Sequence, residues 1–295
     1  MSRMLMTAAG LILAGAVSAH AADIKVIDGN AKFPEGPFVE NGILYYAQYG
    51  AGEIDKWDGK TRTVLWSKEG SGSNAVQRFG DGFIIAGYDN GTIVLTDADG
   101  KTKTVIDKDD EGQPLQGPND IALDGKGGAY VSLSGPWETD PIVGKVVHVT
   151  PDGKAQVVAK DIHYANGLVL SKDGKTLYVN ESEANRVIKF AVAADGTLSD
   201  RRLFLRLYEL GEPPSAYPDG IKLGPDGNLY IGEYSAGRIL VVDPATKKLV
   251  KAIDVPSAAA PNMAFSADGK TMYVTAVDDK SGAPWPGKVY AVTNY

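Results

Sequence analysis

The sequence contains no cysteine, which excludes a disulfide framework, a thiolate metal site and a Cys nucleophile together. It has three histidines, too few for a multi-histidine zinc centre. Positive charge is also in deficit: 30 Lys and Arg stand against 37 Asp and Glu, a formal charge of −7. Contact with phosphate backbones needs a basic surface, so nucleic acid is excluded as the partner. There is no Gly-x-Ser-x-Gly elbow, which sets aside the serine hydrolases built on it. Gly70-Ser71-Gly72-Ser73 is glycine-rich, but no helical pattern follows, so it is not a phosphate loop.

Long apolar runs are scarce too, and one stands apart. Leu5 to Val17 follows Arg3 and ends in small residues, with Ala19-His20-Ala21 as an A-x-A cleavage signal. It is short for a bilayer span and reads as a secretory signal peptide. Residues 1–21 are therefore expected to be removed. Residues 22–295 are expected to form one secreted or periplasmic domain, with no stable membrane insertion after cleavage. Hydrophobic residues make up 43% and charged residues 23%, with 35 glycines, the composition of a turn-rich globular protein.

What the chain does have is a repeat. Short apolar strands are joined by Asn41-Gly42, Asp81-Gly82, Gly127-Gly128, Asp173-Gly174, Asp226-Gly227 and Asp268-Gly269. Such dipeptides supply the positive φ angles of two-residue hairpins. From Gly42 through Gly82, Gly127, Gly174, Gly227 and Gly269 the intervals are 40, 45, 47, 53 and 42. A period in the forties with β-type content predicts propeller blades. A third and a fourth strand follow each hairpin, so the expected fold is an all-β, six-bladed propeller with four strands per blade. The sixth copy stops at Tyr295 after three strands. Ile24–Ile27 is the spare strand that would close the ring and hide its edges.

The first strand of each blade lines a propeller's channel. Seven or eight residues before the turn glycines stand Glu35, Asn74, Asn119, Asn166, Asp219 and Asn262. Two carboxylates and four carboxamides suit a hard divalent cation, Ca²⁺ or Mg²⁺ with Mn²⁺ as substitute. Without a cation the carboxylates would oppose each other in a poorly solvated mouth. Turn capping is the competing role for such residues. It accounts for Asn262, and for Asn74 as an alternative, but not for Glu35, since Glu is a poor turn residue. Asp120 is expected to point away from the channel.

Phe33-Pro34-Glu35-Gly36-Pro37, Gly117-Pro118-Asn119-Asp120-Ile121-Ala122, Ala165-Asn166-Gly167-Leu168 and Pro218-Asp219-Gly220-Ile221 resemble motifs of the senescence marker protein / gluconolactonase / luciferin-regenerating enzyme family. The likeness runs from about Phe33 to Val289. It implies a six-bladed propeller with one divalent cation at the channel mouth, most often Ca²⁺, with Mg²⁺, Mn²⁺ or Zn²⁺ as alternatives. It also implies that Glu35, Asn166 and Asp219 bind the metal, that Asp219 is the general base, and that Asn119 touches metal, water or substrate. Squid-type diisopropylfluorophosphatases share a similar centre. Sugar-lactonase members often carry an Arg two residues before the Asn-Asp pair, where this chain has Gly117.

The expected function is a metal-dependent lactonase acting on a small-molecule cyclic ester. Asp219 would take a proton from water and Asn119 would hold the oxyanion. A phosphotriesterase-like hydrolase on the same centre and a non-catalytic ligand-binding propeller are the alternatives. His163, three residues before Asn166, is expected beside the metal end as a substrate-binding residue. Trp137, Tyr208 and Tyr217 are expected to form an apolar rim.

Overall fold

The computed structural model describes residues 22–137 and 141–295. The expected signal peptide, residues 1–21, and Glu138, Thr139 and Asp140 of the blade 3 insertion lie outside the described residues. The described residues form 24 strands. Twenty fall into blades that follow the chain, each a four-stranded antiparallel meander, beginning at Pro34, Ser73, Pro118, Ala165 and Pro218. Blade 6 takes Ala259–Phe265, Thr271–Val277 and Pro286–Thr293 from the C-terminal end and Asp23–Lys32 from the N-terminal end. That closing strand pairs antiparallel with the last one, Ile24 opposite Val292 and Val26 opposite Tyr290. The inner strand of each blade packs on the next, and blade 6 packs on blade 1. The expected six-bladed ring and its closure are both present.

The turn glycines fall between the first and second strands as expected, but two-residue hairpins occur only in blades 1 and 2; in blades 3 to 6 longer loops join Leu123 to Ala129, Leu170 to Leu177, Leu223 to Leu229 and Phe265 to Met272. Asn41 and Gly42 have φ of 52° and 77°, the pair of positive angles that a tight hairpin needs. Blade 2 differs: its positive φ falls on Gly80, at 58°, and Gly82 begins the second strand. Apolar packing follows the ring. Six buried clusters form, one between each pair of adjacent blades. Blades 2 and 3, for example, meet through Ile84, Ile93, Ile121, Val131 and Val147. Each sheet is therefore buried on both faces, which is why its middle strands are apolar without alternation.

One irregularity recurs and positions the site. All six inner strands break register with their neighbours near the start, between Glu35 and Phe38, Ser73 and Ala75, Pro118 and Ile121, Ala165 and Leu168, Pro218 and Ile221, and Ala259 and Asn262. Bulges of this kind re-aim side chains beside functional sites. Each break contains or borders one of the six polar residues of the ring.

Candidate active site

Glu35, Asn74, Asn119, Asn166 and Asp219 form the floor of a cavity of about 340 Å³ at one end of the channel. All five are buried, from 2% to 8% exposed. Glycine permits this crowding. A Cβ on Gly36, at φ +43°, would come within 2.3 Å of the Asn74 carbonyl, and one on Gly167 within 2.4 Å of the Asp219 carbonyl. Side chains in or just after the second strands then fasten the inner ones. Asn180 Nδ2 donates to the Asp219 carbonyl at 2.6 Å, and Ser182 Oγ to that of Pro218 at 2.6 Å. Ser134 Oγ donates to the Ala165 carbonyl at 2.6 Å and accepts from Asn119 Nδ2 at 3.0 Å.

The carboxamides are linked in part. Asn74 Nδ2 donates to Asn119 Oδ1 at 2.7 Å, so Asn74 belongs to the floor and is not merely a turn cap. Asn166 hydrogen bonds to Asp219, while its Oδ1 is buried with no partner. Glu35 Oε2 accepts from the Gly36 amide at 2.8 Å. Burial, and then the facing Asp219, hold the Glu35 carboxyl well above the usual carboxylate range. Burial, and then Asp120, push Asp219 up to about 8.

Asp120 and Asn262 correct the sequence-based expectation. Asp120 does not point away: it is buried, and Lys222 Nζ reaches across to its two oxygens at 2.8 and 3.1 Å. Its position in blade 3 is the one that glycine holds in blades 1, 4 and 5, as Gly36, Gly167 and Gly220. That departure from the repeat was the available sign. Asn262 is more than a local cap, although its Oδ1 does accept from the Met263 amide at 2.9 Å. It is 2% exposed, bonds to Glu35, and aims Nδ2 at Asp120 Oδ2, 3.5 Å away.

His163 does not line the cavity; its Nε2 lies 2.9 Å from Glu183 Oε2. The next residue, Tyr164, takes the wall position. Trp137 also lines the cavity, and Tyr217 packs edge-on against it at 5.1 Å, whereas Tyr208 is 53% exposed. The walls are otherwise Phe33, Tyr49, Tyr88, Tyr234 and Trp285, which sequence reasoning did not select. Their signal lay in the repeat as well. Phe33 and Tyr164 immediately precede a first strand, and Tyr49, Tyr88 and Tyr234 immediately follow a second.

Among the described residues no three His, Cys, Asp or Glu side chains gather into a metal-binding group. The floor is instead a mixed set of carboxylate and carboxamide oxygens. The orphaned Asn166 Oδ1 and two buried carboxylates that each resist ionisation fit one hard divalent cation.

Six closed blades around an oxygen-lined pocket define the class, a six-bladed propeller with its site at the channel mouth. The SMP-30/Gluconolactonase/LRE-like region matches residues 33–278, and the chain belongs to that family. An uncharacterized protein of Sulfolobus acidocaldarius is 26% identical over 91% of this chain and 94% of its own length. Lactonase drp35 of Staphylococcus aureus is 37% identical over 125 residues, 42% of this chain and 37% of that enzyme's length. Among solved structures, luciferin-regenerating enzyme superposes with a TM-score of 0.76 at 21% identity, covering 92% of this chain and 95% of that one. The gluconolactonase XC5397 of Xanthomonas campestris gives 0.76 at 22% identity, over 95% and 92%. These two establish the shared fold.

Proposed function

We propose that the protein is a lactonase-like hydrolase of small cyclic esters that works outside the cytoplasm with one divalent cation, Ca²⁺ foremost. The carrying observation is the cavity floor: Glu35, Asn166 and Asp219 present hard oxygens, one of them orphaned, at the base of a ligand-sized pocket. The stretch that is 37% identical to a lactonase supports the reaction class.

Bound at those oxygens, the cation would supply Lewis acidity toward a carbonyl and lower the pKa of water. The chain's own residues do the rest. Asp219 accepts the proton of the attacking water; the cation at those oxygens would offset the burial that otherwise holds its carboxyl protonated, and so keep it ionised for that role. Asn166, bonded to Asp219, fixes its orientation. Asn119 has committed one Nδ2 hydrogen to Ser134; the other remains for the lactone oxygen as negative charge develops there. The apolar walls keep bulk water from competing.

The test is turnover of a lactone panel and an organophosphate by the mature protein, with EDTA and with restored Ca²⁺. Lactone hydrolysis lost with EDTA and recovered with Ca²⁺ supports the reading. Preference for the organophosphate would move the assignment to phosphoryl chemistry. No turnover of either would leave a ligand-binding propeller.

A further inference from the structure

We propose, resting on the lactonase reading, that the pocket selects an uncharged lactone carrying a flat apolar or aryl substituent, and discriminates against polyhydroxylated sugar lactones. The first observation is a closed aromatic collar above the polar floor. Phe33 and Tyr49 are 5.2 Å apart, Tyr49 and Tyr88 6.2 Å, Tyr88 and Tyr164 6.5 Å. Tyr164 and Trp137 follow at 4.4 Å, Trp137 and Tyr234 at 6.1 Å, and Tyr234 returns to Phe33 at 6.1 Å. Trp285 backs the collar, 5.4 Å from Tyr49. Centroid spacings of this size are those of favourable aromatic packing, and a flat apolar group entering the collar meets rings all round.

The second observation concerns polar capacity. Three of the collar's four tyrosine hydroxyl hydrogens are spent within the protein: Tyr49 donates to Asp89 at 2.8 Å, Tyr88 to the Gly135 carbonyl at 2.9 Å, and Tyr164 to Tyr88 at 2.9 Å. No Lys, Arg or His is among the residues lining the cavity. Nor is there room for one at the blade 3 rim. A Cβ on Gly117 would come within 2.9 Å of Tyr88 Cε2 and would also require φ near +60°. Sugar-lactone hydroxyls directed into the collar, away from the polar floor, would lose water and meet ring faces, and each unmatched group weakens binding. A carboxylate or phosphate substituent would find no cationic side chain among the lining residues; Lys280, 4.8 Å over the Tyr234 ring, donates to the Tyr234 carbonyl at 2.8 Å.

The third observation is local strain. Phe33, Tyr164 and Trp285 have φ of 49°, 59° and 45°, a region that bulky residues rarely adopt. Three aromatic residues lining the cavity share it, and strain of this kind gathers at ligand sites where the surrounding structure holds it.

The experiment compares kcat/KM for phenyl-substituted δ-valerolactone, unsubstituted δ-valerolactone and glucono-1,5-lactone. It also follows binding of the hydrolysis-resistant phenyl-substituted δ-valerolactam by tryptophan fluorescence, since Trp137 and Trp285 line the cavity. The phenyl lactone should exceed glucono-1,5-lactone by about 10²-fold or more. Trp137→Ala and Trp285→Ala should each lower the phenyl-to-unsubstituted ratio by about tenfold, the scale of one lost apolar contact. Circular dichroism checks folding, and if Trp285→Ala is unfolded, the half-exposed Trp137 carries the comparison. Glucono-1,5-lactone turned over as well as the phenyl lactone would overturn the substrate class and leave the lactonase reading intact. Lactam binding that weakens in Trp137→Ala, with no lactone hydrolysed, would keep the ligand class and remove the hydrolase reading. No binding and no turnover would remove both.

Discussion

Two acidic centres share one channel and are completed differently. Asp120 has its counterion built in, with Lys222 at 2.8 Å and Asn262 beyond it. Glu35 and Asp219 face one another with backbone and carboxamide bonds but no cationic side chain in contact, and both resist ionisation. An unpaired buried charge costs several kcal/mol, so with no counterion these two carboxyls hold their protons, whereas Asp120 has Lys222 to neutralise it. The difference separates an acid whose counterion is the chain's own Lys222 from two acids that have none, and it is at those two that the proposed cation would sit.

The largest effect should come from breaking the second centre. Asp219→Asn keeps an oxygen but loses the proton acceptor. At saturating Ca²⁺, turnover of the best lactone should fall by about 10²–10⁴-fold. The same variant should melt higher than the parent in EDTA, because one of two opposed carboxylates is gone. Near-parental turnover would remove Asp219 from the base role.

Breaking the internal pair should cost stability rather than chemistry. Lys222→Met leaves Asp120 buried and unpaired, an expected loss of about 3–5 kcal/mol. Adding Asp120→Asn should recover part of it. Urea denaturation of the parent, single and double variants measures both steps, and equal stability across the three would show the pair to be inert.

Removing the proposed cation sharpens the comparison from the other side. At a hundredfold excess over its Kd, a cation that binds only the folded state contributes about 2.7 kcal/mol. EDTA should therefore lower the melting temperature, and Ca²⁺ should restore it. Asn262 touches both centres, so Asn262→Ala should cost about 1–3 kcal/mol through the donors it removes. A neutral Asn262→Ala would return that residue to turn capping.

The smallest effect tests a buried carboxylate outside the cavity. Burial, and then Glu212, push Glu233 up to about 7, from an ordinary 4.5. Between those values the folded chain holds a proton that the unfolded chain has given up. The stabilisation is complete at low pH and is lost as pH rises through 7. Glu233→Gln should thus gain on the parent between pH 5 and pH 8, as read from urea midpoints. Parallel pH profiles would refute the shift.

Much of the fold was legible because hairpin chemistry is local. Gly42, Gly174, Gly227 and Gly269 sit at turns whose positive φ glycine accommodates without strain, and their spacing counts the blades. Repeat position also marked the ring from Glu35 to Asn262, since equivalent residues on equivalent strands occupy equivalent places. The exceptions to the repeat were harder to read. Asp120 stands where blades 1, 4 and 5 have glycine, and its partner Lys222 is 102 residues away. No local pattern links two residues that meet only when blades 3 and 5 face each other across a closed ring. The aromatic collar is of the same kind, six rings drawn from four blades and one insertion. The sequence by itself determined the blades, their number and the polar ring. Only the tertiary structure decided which carboxylates pair internally and what surrounds the pocket, because burial and opposed charge arise from closing the circle.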